Sequence, residues 1–144
     1  MKILHTADLH IGKIVNEFSM IEDQRHILKQ IIEIAVEKKV EVVIVAGDIY
    51  DRAIPSVEGV ELLDEFYTQL LQYGIRVLAI SGNHDSPERI SFASKILREQ
   101  GLHICGDYQG RLKKIVLEDE YGEVIFHFFP FIKTATGFCL SIFK

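Results

Sequence analysis

Cysteine is scarce: Cys105 and Cys139 are the only two in 144 residues. They lie outside any paired metal-ligand spacing, which argues against a thiolate-built structural zinc site and leaves two reduced, buried thiols as the expectation. Long apolar runs are missing too. No stretch has the length of a membrane span or the pattern of a signal peptide, so the chain reads as a cytoplasmic protein that opens directly on a strand at Met1-Lys2-Ile3. Positive charge is in deficit, with a net charge of -5. That sign excludes generic nucleic-acid binding, and any DNA contact would need local basic groups or a partner subunit. No repeat, low-complexity segment or linker divides the chain. What remains is one domain's worth of ordinary globular composition, 48% hydrophobic and 26% charged, long enough to bury a core.

The organising stretch is Val42-Val43-Ile44-Val45-Ala46, which runs into Gly47-Asp48-Ile49-Tyr50-Asp51. An unbroken apolar run that stops at Gly-Asp reads as a strand buried on both faces, with Asp48 at its carboxyl end. In open α/β sheets that edge is where ligands bind. The same construction occurs twice more. Ile3-Leu4-His5-Thr6-Ala7 leads into Asp8-Leu9-His10, and Val77-Leu78-Ala79-Ile80-Ser81 leads into Gly82-Asn83-His84-Asp85. Asp8 and His10, two apart on a segment read as extended, are expected to point the same way and reach one ion.

Helical spacing connects the strands. Ile27, Leu28, Ile31, Ile32 and Ala35 repeat as one face of a helix over residues 23–39, with His26 as a surface histidine. Val60, Leu63, Tyr67, Leu70 and Leu71 form the stripe of a second helix, which starts after Pro55-Ser56 and ends at Gly74. Phe66 and Tyr67 are expected in the core. Ser86-Pro87 can start a third helix reaching about Gln100, before a short strand over residues 102–105. Residues 112–117 and 124–129, joined by an acidic connection, read as an antiparallel hairpin that begins a second sheet. His5, His103 and His127 sit within apolar strands and are expected as satisfied core histidines. Arg111, Lys113 and Lys114 form a local basic cluster, expected to be a solvated strand face. The fold class is α/β: a βαβαβ mostly parallel sheet with right-handed crossovers plus the start of an antiparallel sheet.

The three loops describe one chemistry. Asp8 and His10 offer an oxygen and a nitrogen, Asp48 a carboxylate able to bridge two cations, and Asn83 an amide oxygen. Mixed O/N sets of this kind suit Mn²⁺, Fe²⁺ or Zn²⁺ better than a Ca²⁺ cage. Two such ions about 3.5–4 Å apart support in-line phosphoester hydrolysis. His84 could then stabilise the transition state or protonate the leaving oxygen, with Asp85 orienting its ring. Asp51, Arg52 and Asp85 are candidates for support around the ligands.

In order and spacing, Asp8-Leu9-His10, Gly47-Asp48-Ile49-Tyr50-Asp51-Arg52 and Gly82-Asn83-His84-Asp85 resemble the motifs of the calcineurin-like metallophosphoesterases. The likeness covers about the first 130 residues and is tighter to the nuclease subunits of bacterial DNA-repair complexes. It implies a nuclease domain, here its N-terminal part over residues 1–144, in which Asp8 and His10 bind a first metal, Asp48 bridges, Asn83 binds a second and His84 acts on the scissile phosphodiester. It further implies Mn²⁺, a DNA substrate cut by exonuclease and endonuclease action, an ATPase partner subunit and a homodimer of the full-length form. The family pattern also calls for a further histidine and a Gly-His-x-His loop. Only His103 and His127 follow His84, neither in such a loop, and residues 134–144 depart from the pattern. The expectation is a truncated form with weak or no activity of its own. A phosphatase of the same superfamily, a non-catalytic subunit-binding fragment and an acidic-pocket signalling domain are the competing readings, although the last leaves His10 and His84 unexplained.

Overall fold

A computed structural model describes residues 1–132. Cys139 and residues 134–144 lie outside the described residues. Four parallel strands form the central sheet: β1 (Ile3–Thr6), β4 (Val42–Ala46), β5 (Arg76–Ile80) and β6 (Leu102–Cys105), in the order β1-β4-β5-β6. Between β1 and β4 lie a small hairpin, β2 (Ile14–Val15) with β3 (Phe18–Ser19), and helix α1 (Ile21–Glu37). Helix α2 (Val57–Gln72) joins β4 to β5, and β7 (Lys113–Asp119) pairs antiparallel with β8 (Gly122–Phe128). Among the described residues no helix is long and apolar enough to cross a membrane.

The alternation of side chains along β4 and β5 builds two cores. Val43, Val45, Val77 and Ala79 face α1 and α2, where Leu28, Ile32, Ala35, Leu62, Phe66 and Leu70 close the larger cluster. Val42 and Leu78 face the other way and pack with Cys105, Leu117 and Phe128 under the β7–β8 hairpin. Cys105 is a buried free thiol. The molecule is thus layered: helices, parallel sheet, two-stranded ribbon.

Several elements depart from expectation for identifiable reasons. Ala93 takes a left-handed φ of 56° and breaks the third helix into α3 (Pro87–Ile90), α4 (Ser94–Leu97) and a 3₁₀ turn, Arg98–Gln100. The β2–β3 hairpin was not foreseen, its strands being two residues each around Asn16 and Glu17, both at positive φ as a type I′ turn requires. The acidic connection of the later hairpin shortens because Glu118 pairs with Glu123 and Asp119 with Gly122. Val60 and Ile27 are exposed; α2 buries Gly59 and Leu62 beside Leu63, so its buried face is rotated from the expected stripe. His5 and His127 are exposed rather than in the core: His5 lies on the sheet's edge strand, and His127 is on the outer face of β8 opposite Lys114. His103 is half-buried, His26 is exposed, and Phe66 and Tyr67 are core residues as expected.

Candidate metal centre

The carboxyl ends of β1, β4 and β5 bring the three loops together through their backbones. The first loop runs alongside the second: Asp8 N–H donates to Gly47 O (3.1 Å), His10 N–H to Asp48 O (2.9 Å) and Ile11 N–H to Ile49 O (2.9 Å). Asp51 N–H returns a bond to Ile11 O at 3.1 Å. This pairing sets Asp8 and His10 against Asp48. It does so with a bent backbone. Asp8 (φ 54°), His10 (φ 43°) and Asp48 (φ 46°) are all left-handed, a conformation costly for non-glycine residues and concentrated at functional sites. The extended geometry expected for Asp8-Leu9-His10 is therefore replaced by two left-handed residues, although both side chains still reach a common point.

The third loop is fixed to the second by two carboxylates. Asp48 Oδ1 accepts from His84 N–H at 2.9 Å. Asp85, fully buried, accepts from Ile49 N–H (3.1 Å), Tyr50 N–H (2.9 Å) and Gly82 N–H (2.8 Å). Three backbone donors satisfy a buried charge that would otherwise be costly. Gly82 is required by this closeness, because a Cβ there would collide with Asp48 Oδ1 and the Asp48 amide nitrogen. The expected role of Asp85 is thereby corrected. It joins two loops, and the ring of His84 is oriented instead by the Asp51 carbonyl, 2.8 Å from His84 Nδ1.

Asp8, His10 and Asp48 present ligand atoms within 4.8 Å of one another, and so do His10, Asp51 and His84. His10 Nε2 stands 4.0 Å from Asp8 Oδ1 and 4.0 Å from Asp48 Oδ2, while His10 Nδ1 stands 3.5 Å from Asp51 Oδ1. These separations are too long for hydrogen bonds and leave room between the ligand atoms. His10 Nδ1 is a buried nitrogen without a hydrogen-bond partner among the described residues. A convergent imidazole and carboxylate set of this kind fits a divalent cation. His10 and His84 meet edge to face, with ring centroids 4.8 Å apart. The His84 imidazole is raised above its ordinary value, chiefly by the bond to the Asp51 carbonyl; desolvation opposes the shift, and the Asp48, Asp51 and Asp85 charges add to it. Burial, with the nearby Asp85 and Asp64 charges, pushes the Tyr50 phenol up to about 12, so that hydroxyl stays neutral.

Asn83 is exposed on the third loop next to His84, and Arg52 is exposed with Nε 3.8 Å from Asp51 Oδ2. His103 and His127 belong to neither cluster. Sequence reasoning missed Gln24, whose side chain bonds the first loop, because a polar residue on the flank of an amphipathic helix carries no signal of its own.

The family model for calcineurin-like phosphoesterases matches residues 1–142. A Staphylococcus saprophyticus protein named as the SbcD component of the SbcCD nuclease is 37% identical over 132 residues, 91% of this chain and 34% of its own length. The protein of the same name from Staphylococcus epidermidis is 41% identical over 105 residues, 72% of this chain and 28% of its own. The chain spans about a third of the length of these curated relatives.

Proposed function

The chain belongs to the calcineurin-like phosphoesterase family of hydrolytic metal-dependent enzymes, and from that premise we propose that it is the N-terminal part, residues 1–144, of the nuclease domain of an SbcD-type protein. The observation that carries the reading is the convergence of Asp8, His10 and Asp48 where the first two loops zip together, together with relatives named as components of the SbcCD nuclease. Asp8 and His10 would hold one divalent ion, Asp48 would bridge, and Asn83 would hold a second, both being Mn²⁺. Bound there, the ions would supply Lewis-acid polarisation of a phosphoryl oxygen and an acidified water.

The chain's own groups do the rest. His84 engages Asp51 O through Nδ1, which leaves Nε2 free to donate a proton to the leaving oxygen of a phosphodiester. Asp51 presents both this carbonyl and a carboxylate near His10. Asp85, accepting from Ile49 and Tyr50 N–H, ties the third loop to the second, where Asp48 Oδ1 accepts from His84 N–H. The substrate on this reading is DNA, cut as a 3′–5′ double-strand exonuclease and single-strand endonuclease in repair, recombination and replication. The partner is an SbcC-type ATPase, with the full-length form a homodimer.

The test sets hairpin and plasmid DNA against a phosphomonoester, with Mn²⁺ and with Asp48→Ala as control. DNA cleavage abolished in the control supports the nuclease. Hydrolysis of the monoester alone would make the chain a phosphatase of the same family, and no hydrolysis despite bound metal would favour a non-catalytic subunit-binding fragment.

A further inference from the structure

We propose that Gln24 is a positioning residue of the metal centre, the side chain that holds the first loop in the shape that presents Asp8 and His10; this inference rests on the metal-site reading above. One side of that loop is bonded to the second loop. Gln24 takes the other side. From the first turns of α1 its Nε2 donates to Leu9 O at 3.1 Å and to His10 O at 2.7 Å, while its Oε1 accepts from Gly12 N–H at 2.9 Å. Two acceptors and one donor on the loop fix which end of the amide is which.

The loop needs a clamp of this kind. Asp8 and His10 both hold left-handed backbone, and Gly12 follows at φ 87°. Such conformations persist only where their surroundings over-determine them. The clamp is itself anchored. Leu28, Ile32 and Ala35 bury α1 in the larger core. Gln24 thus transmits the position of a packed helix to the backbone on both sides of His10. A leucine would fill the space but leave three backbone groups without their partner, and a glutamate would set a charged oxygen against two carbonyl oxygens.

The test uses the whole chain in two measurements: Mn²⁺ titration by calorimetry, and amide hydrogen exchange at Gly12 in EDTA. The variants are Gln24→Leu and Gln24→Glu, with Arg25→Ala as a control that weakens α1 without touching the loop. Gln24→Leu is expected to bind Mn²⁺ about 10- to 100-fold more weakly, the range for loss of a group that orients a ligand. Gly12 should exchange faster in both Gln24 variants, and Arg25→Ala should leave both readouts unchanged. Wild-type Mn²⁺ affinity in both Gln24 variants, whatever their stability, would overturn the positioning role. A wild-type chain that takes no Mn²⁺ would overturn the metal-site reading and this inference with it, a failure seen without any variant.

Discussion

The two faces of the parallel sheet are built from the same strands and are covered very differently. Toward the helices, Val43, Val45, Val77 and Ala79 are all 0% exposed. Toward the ribbon, Val42 and Leu78 are buried, but Ile44 and Ile80 are only half-buried, and a cavity of about 100 Å³ lies between them and Phe126 and Phe128. Helices of 17 and 16 residues present broad apolar faces, whereas among the described residues a ribbon of two strands leaves part of the sheet's flank uncovered. Fixed support therefore comes from the helical side. It is also from that side that α1 reaches the first loop.

If the comparison is right, substitutions should sort by face and by loop. The largest loss belongs to Asp85→Ala. It leaves three backbone donors without a charged acceptor, at about 1.5–3 kcal/mol for each such bond, so urea denaturation should show a chain barely folded, or folded without the metal site. Next comes Phe66→Ala on the helical face, expected to cost about 3–5 kcal/mol in the same assay. Phe128→Ala on the ribbon face should cost less than Phe66→Ala, because its neighbours Ile44, Ile80 and Phe126 are only half-buried. Equal losses at Phe66 and Phe128 would break the comparison.

The smallest effect lies where the ribbon meets the start of the chain. The Met1 amine bonds Asp119 at 2.6 Å. Its pKa is raised above the ordinary 8.0 by that bond, and the Asp119 carboxyl is lowered below its ordinary 3.8 by the same partner. The raised amine stabilises fully below 8.0 and loses its contribution as pH climbs through its folded value. The lowered carboxyl stabilises above 3.8 and loses its contribution as pH falls through its folded value. Asp119→Asn should therefore lower the melting temperature slightly near pH 6, and the difference from wild type should shrink toward pH 3 and pH 10. A constant difference across that range would assign the effect to the hairpin turn instead, where Asp119 also accepts from Tyr121 N–H.

What was legible in the sequence was what periodicity and strand-end placement express. Val42–Ala46 announces a doubly buried strand because both of its faces are covered, and Gly47-Asp48 announces its end. The helical break at Ala93 was hidden, since alanine carries no turn signal and yet takes a left-handed φ of 56° here. His5 and His127 misled because an apolar neighbourhood in sequence says nothing of whether a strand lies at the edge or turns outward. At the site, spacing was enough to put Asp8, His10 and Asp48 on loops that meet, but not to say what each neighbouring side chain bonds. Asp85 sits next to His84 in the chain, yet it bonds Ile49, Tyr50 and Gly82. Gln24 bonds a loop that precedes it by a dozen or more residues.

The central proposal, that Asp8, His10, Asp48 and Asn83 hold two divalent ions, is tested most directly by metal stoichiometry. The purified chain would be loaded with Mn²⁺, desalted and subjected to elemental analysis beside Asp48→Ala. The account predicts close to two ions per chain, falling sharply in Asp48→Ala. No retained ion, or a single loosely held ion indifferent to Asp48→Ala, would contradict it.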